Sequence, residues 1–243
     1  MSPGLVFASL KGMCARFVQA GPALFTGPFA VLIEMWGGGK VPSRYNIAPT
    51  QEVPVVRAKE NGDGYRADSL RWGLVPHWAK DESIGSKMIN ARSETVAEKP
   101  AFRNAFARRR CVVPASGFVE WKSTAHGKEP NYIFRADGEL MLFAGLWDRW
   151  SRGAAGALES FTVLTCSPNR FMQEMHDRMP VVLDSESAFE WLAQDRSPKQ
   201  LAELLVPAAE AVLDSHGVSK RINSVRNDDP ACLQRVETPG LFD

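Results

Sequence analysis

The stretch NYIFRADGELMLFAGLW, residues 131–147, decides the fold class. Two runs rich in aromatic and aliphatic residues, Asn131 to Arg135 and Leu140 to Trp147, flank Asp137-Gly138. That dipeptide tolerates the left-handed backbone of a tight turn, so the pattern predicts strand, turn, strand: a hairpin. Working outward, Val53 to Ala58, Ser69 to Val75, Arg110 to Val113 and Ser160 to Thr165 read as strands by the same signs. Past residue 165 the pattern changes. Ser167-Pro168 predicts a cap and first turn for a helix over Asn169 to Met175. Ser185 opens a second over Glu186 to Ala193, with Phe189 and Leu192 on one face. Ser197-Pro198 precedes Leu201, Leu204 and Leu205 at helical spacing. Strands first and helices later, without regular alternation, predict an α+β single domain rather than a doubly wound sheet.

Composition sets the outer limits. The 243 residues are 44% hydrophobic and 23% charged, which excludes a disordered tail protein and a collagen-like fibre. No run approaches the ~18 apolar residues of a membrane-spanning helix. Lys plus Arg number 29 against 28 acids, a net charge of +1, so any nucleic-acid site must be a local patch. The four cysteines, Cys14, Cys111, Cys166 and Cys232, form no CxxC pair, so neither a disulfide framework nor a structural zinc site is expected. The apolar stretch Leu5 to Leu10 is too short for a signal peptide and no basic run precedes it, which points to the cytoplasm. Gly37-Gly38-Gly39 lacks phosphate-loop spacing and reads as a loop.

HExxH, GxSxG and EF-hand patterns are missing, so chemistry must be read from single residues. Cys14 directly follows Met13. If Met13 is the start and is removed, Cys14 carries an α-amine of pKa ~7.7–8 beside a thiol of ~8.5. Such a 1,2-aminothiol condenses with an aldehyde to an imine, and the thiol then closes a five-membered thiazolidine. Asn90, between Ile89 and Ala91, is either a turn former or a residue that orients a reacting group. Glu120, between Val119 and Trp121, is either a strand-edge glutamate in water or a half-buried acid–base group. His176, beside Asp177 and Arg178, is either structural or a proton shuttle. Lys99, Arg103, Arg108, Arg109 and Arg110 form the local basic run, with Phe102, Phe106, Trp72, Trp78 and Trp121 as nearby flat faces. The run is a solvated helix face or a groove for single-stranded nucleic acid, which needs cations for phosphates and aromatic rings for bases.

Six segments in order resemble the SRAP family, the SOS-response-associated peptidases or abasic-site processing proteins. They are Met13 to Phe17, Tyr45 to Thr50, Trp72 to Pro76, Ile89 to Thr95, Pro114 to Trp121 and Met175 to Pro180. The resemblance implies a β-barrel-like core with peripheral helices over residues 13–227. It sets apart residues 1–12 as an extension absent from the active form and 228–243 as a tail. It also implies binding of single-stranded DNA and covalent reaction with the aldehyde of an abasic site. Cys14 matches the thiazolidine-forming cysteine, Asn90 the orienting amide, Glu120 the proton-transfer carboxylate and His176 the active-site histidine. Arg16 and Arg92 match arginines on DNA phosphates. Pro49 and Trp78 lie in segments that border the DNA channel. Ala15 stands where the family usually has glycine. The aminothiol supplies the covalent chemistry, so no metal or organic cofactor is implied, and the chain is expected to act as a monomer with no membrane partner. Two rivals predict different outcomes: a cysteine peptidase built on Cys14 and His176 would cleave peptide bonds, and a plain strand-binding module would bind intact and abasic DNA equally.

Overall fold

A computed structural model describes residues 15–21, 42–60, 62, 64–125, 127–153 and 156–236. Cys14, residues 1–12 and Gly37 to Gly39 therefore lie outside the described residues. In chain order the strands are β1 (Phe17–Gln19), β2 (Arg44–Ile47), β3 (Glu52–Ala58), β4 (Tyr65–Trp72), β5 (Asn90–Arg92), β6 (Arg110–Ala115) and β7 (Gly117–Thr124). They continue with β8 (Gly127–Arg135), β9 (Met141–Gly153), β10 (Gly156–Cys166), β11 (Met179–Pro180), β12 (Val182–Leu183) and β13 (Leu213–Gly217). Short helices follow the strand-rich part or fill its gaps: α1 (Arg103–Arg108), α2 (Arg170–Gln173), α3 (Ser185–Leu192) and α4 (Pro198–Glu203).

Five strands close on themselves in the order β10, β4, β3, β6, β9 and back to β10. Val53, Val55, Leu70, Trp72, Phe143, Phe161 and Val163 fill this barrel and are all buried. The alternation of large apolar residues that marks these strands in the sequence is thus the inward face of the barrel. A second sheet, ordered β13, β8, β7, β1, β2, packs on the barrel through Phe17 and Phe118, whose rings lie 6.2 and 6.1 Å from that of Phe143.

The sheet assignment corrects one expectation. Asp137-Gly138 does make a tight turn, with Gly138 at φ 75° and its N–H donating to Arg135 O. Yet β8 pairs with β7 and β13, while β9 pairs with β6, β10 and β12, so the turn passes the chain from one sheet to the other. The hairpin is instead β7 with β8, joined between Thr124 and Gly127. Ser69 to Val75 is also shortened: β4 ends at Trp72 because Gly73, at φ 118°, bends away. A Cβ on Gly73 would stand 2.6 Å from Gly85 O, so two backbones meet there and only glycine fits.

The helices start where their caps dictate. Asn169, not Ser167, caps α2, and Asp184, not Ser185, caps α3, each accepting from the N–H three residues on. Ser197 caps α4 as expected, in a reciprocal capping box with Gln200. The anchor of α3 is Trp191, whose Nε1 donates to Cys111 O at 3.0 Å and Gly145 O at 3.3 Å. Arg110 leaves the basic run: it is buried and donates to the carbonyls of Phe106, Ala107, Trp191 and Ala193, which ties the ends of α1 and α3 together. Phe102, Phe106 and Trp72 are likewise core residues and present no face to a ligand. Beyond residue 227, Asp228 accepts from the N–H groups of Tyr45 and Asn46, and Cys232 packs against Val119, Val218 and Ile222.

Candidate active site

The site begins with the register of β1 on β7. Phe17 stands opposite Phe118 and Val18 opposite Gly117, and the Val119 N–H donates to Arg16 O at 3.0 Å. One further step of this antiparallel register puts Ala15, the residue after Cys14, opposite Glu120. Glu120 is only 5% exposed, and one of its oxygens accepts from the Trp121 N–H at 3.2 Å. The strand-edge reading of Glu120 therefore fails: β1 covers β7 on one side and β8 on the other.

Asn90 is in a strand, not a turn. β5 runs parallel to β10 and takes up the pairing just where β4 leaves off: Arg71 and Trp72 face Ser160 and Phe161, then Asn90 and Arg92 face Val163 and Thr165. Ala91 is buried in the barrel, so Asn90 and Arg92 share the outer face. Arg92 is exposed and forms no ion pair among the described residues. Arg16 is 8% exposed, and burial lowers its pKa from the ordinary value. Its NH1 donates to Ala15 O at 2.8 Å, and no carboxylate among the described residues pairs with it.

His176 follows α2 on a loop fixed by Arg178. The Arg178 guanidinium holds both oxygens of Glu94, at 2.6 and 2.8 Å, and donates to Thr165 O at 2.6 Å. That hydrogen-bonded ion pair keeps the Glu94 carboxyl below its ordinary pKa. His176 Nδ1 lies 3.1 Å from the Arg178 N–H and 2.8 Å from Asp177 Oδ1. These contacts exclude each other. With Nδ1 bare, His176 accepts from the Arg178 N–H; with a proton on Nδ1, it donates to Asp177.

These contacts close a circuit. Ala15 faces Glu120; Lys122, two residues on, reaches Glu174 at 3.5 Å; Glu174 precedes His176 by two. Arg178 joins Thr165, which pairs with Arg92. Asn90 follows Ile89, whose carbonyl accepts from Trp72 Nε1 at 2.9 Å, and the Trp72 ring lies 4.8 Å from Phe17. This chain of contacts links Ala15, Arg16, Asn90, Arg92, Glu120 and His176. The other two expected contacts are not part of it. Pro49 is buried in the turn Ala48 to Gln51, and Thr50, at φ 73°, is the exposed residue there. Trp78 is 42% exposed. Sequence reading missed Glu94 and Thr165 as supports, because Arg178 meets them 84 and 13 residues away. Among the described residues, no group of three or more His, Cys, Asp or Glu is placed to hold a metal ion.

Acid should loosen this loop. A carboxyl with a depressed pKa stabilises the fold above its unfolded value, and that stabilisation is lost as pH falls through the folded value. Glu94→Gln is expected to cost under ~1 kcal/mol at neutral pH, since the carboxylate is about half exposed. It should flatten the fall of Tm below about pH 4, which thermal melts across pH would measure.

Residues 13–225 match the SOS response associated peptidase (SRAP) family. The chain belongs to the SRAP family. All eight site residues fall within the SRAP match. The abasic site processing protein YoaM of Bacillus subtilis is 42% identical over 197 residues, 80% of this chain and 86% of that protein. The abasic site processing protein YoqW of the same organism is 38% identical over 230 residues, 91% of this chain and 99% of that one. A crystal structure of a Bacteroides thetaiotaomicron protein superposes with a TM-score of 0.78 at 25% identity, covering 92% of this chain and all of that one. No helix among the described residues of this SRAP chain is long and apolar enough to cross a membrane.

Proposed function

We propose that the protein processes abasic sites in single-stranded DNA during the response to DNA damage. It does so by a covalent crosslink at Cys14, read as the N-terminal residue of the active form. The observation that supports this reading is the contact circuit, which links two cations, a buried carboxylate, an amide and a histidine to the residue that follows Cys14. The Cys14 amine adds to the ring-opened aldehyde of the lesion and expels water to give an imine. The thiol then adds to the imine carbon, and its proton passes to nitrogen, closing the thiazolidine. Glu120 and His176 move these protons, and the exchange of partners at His176 Nδ1 suits that role. Asn90 orients the adduct. Arg16 and Arg92 bind phosphates, and the lack of a carboxylate on Arg16 among the described residues favours an anionic ligand there. The crosslink shields the lesion from cleavage. The same imine eases β-elimination of the 3′ phosphate, a lyase route.

The other described cysteines do not compete. Cys111, Cys166 and Cys232 are all buried. Burial pushes the Cys166 thiol up to about 12 and raises Cys111 as well, so neither offers a thiolate near neutrality. Intact mass after incubation with an abasic oligonucleotide tests the reading. A product heavier by the oligonucleotide less one water supports it. Peptide cleavage without a DNA adduct would favour the peptidase, and reversible binding alone the strand-binding module.

Arg92→Glu is expected to weaken DNA binding and crosslinking together. Removing one cation from a phosphate lowers the log–log salt slope by ~0.7 on single strands. Binding titrations at several salt concentrations measure this, and an unchanged slope would show that Arg92 does not bind phosphate.

A further inference from the structure

Among the described residues Trp78 is the one exposed tryptophan, and both residues beside it are tied to β9. Asp148 Oδ2 accepts from the His77 N–H at 3.0 Å and lies 3.1 Å from His77 Nδ1. Trp150 Nε1 donates to Ala79 O at 2.8 Å, and the Ala79 N–H closes a turn on Pro76 O at 2.9 Å. Trp78 is therefore held between two anchors two residues apart on one strand, with 42% of its surface left open to solvent. Asp148 is 2% exposed. Burying a carboxylate is costly unless its oxygens are all engaged, and here they are: the other oxygen accepts from the Arg149 N–H at 2.8 Å and faces Arg109 at 3.1 Å. None of these groups belongs to the contact circuit around Glu120. Exposed Lys80 follows the turn and exposed Arg149 lies between the two anchors, so cations flank it, while the exposed Asp81 and Glu82 come after Lys80.

We propose that Asp148 and Trp150 are positioning residues for DNA binding: they preset Trp78 as a stacking platform for an unpaired base of the strand that flanks the lesion. The proposal rests on the single-stranded DNA reading above. A rigid, exposed ring loses little freedom when a base stacks on it, and the cations nearby suit the phosphates on either side. Asp148 and Trp150 act through the turn and do not touch the strand.

The test is fluorescence anisotropy with an undamaged single-stranded oligonucleotide, with crosslink yield on an abasic one at saturating protein. Trp78→Ala is expected to raise Kd about five- to hundredfold, the range for losing one stacked base. Asp148→Asn, and separately Trp150→Phe, which keeps the core ring and removes only its N–H, should each raise Kd at least about threefold. In the two anchor variants the crosslink yield at saturating protein should stay at the wild-type level. Combining Asp148→Asn with Trp78→Ala should add nothing beyond Trp78→Ala alone, because no platform is left to position. A lowered Tm with unchanged Kd in both anchor variants overturns the proposal, as does additivity in the double variant or a silent Trp78→Ala. A wild-type chain that fails to bind the oligonucleotide sinks the DNA reading itself, before any variant is compared.

Discussion

Cys14→Ala is expected to abolish the stable covalent product on abasic single-stranded DNA while leaving reversible binding nearly unchanged. The proposed DNA contacts, Arg16, Arg92 and the exposed indole, are not altered. Only the thiol closes the ring. Cys14→Ser sharpens the result: the amine persists, so an imine that borohydride can trap should form and then hydrolyse when no reductant is present. The readout is a denaturing gel with and without borohydride. A heat-stable adduct of normal yield from the alanine variant would refute the thiazolidine.

Blocking the Cys14 amine should have an equally complete effect. A chain that starts at Cys14 is expected to crosslink, and the same chain with residues 1–13 shown by mass to be still attached is expected not to. In the longer chain the nitrogen of Cys14 is an amide, whose lone pair is delocalised into the carbonyl and does not add to aldehydes. Both forms should bind intact DNA alike, since the arginines proposed to bind phosphates are common to both. Equal crosslinking by the two would rule out the aminothiol route and return attention to other nucleophiles near Glu120.

The sequence makes the architecture more legible than the site's supports. Inward-facing residues such as Val53, Val55, Phe143, Phe161 and Val163 announce strands through local composition, and their burial follows. Local patterns do not reveal which strand pairs with which. Asp137-Gly138 has the chemistry of a hairpin turn, but the partners of β8 and β9 are chosen by burial far away, so the turn joins two sheets. The basic run misled for a similar reason. Arg109 and Arg110 have the same local context, yet Arg110 ends under α3, whose position depends on Trp191 docking on β6 and β9. Family membership was legible through six short segments taken together. The bidentate grip of Arg178 on Glu94 and the hold of Asp148 on His77 were not, because each joins residues many positions apart.

β10 is served by two parallel partners in tandem on one edge, β4 and then β5, and the chain between them leaves the sheet at Gly73 and returns at Ile89. That arrangement makes the intervening stretch an interchangeable module. A relative's stretch is expected to be tolerated there if the Gly73–Gly85 crossing and the buried Leu74, Val75 and Ala79 are kept. The phase of Asn90 and Arg92 is set by their own pairing with Val163 and Thr165. If Trp78 recognises the flanking strand as proposed, that recognition is set apart from the strand that carries Asn90 and Arg92, and a library confined to the exposed residues 80–83 should change substrate preference without disturbing the chemistry.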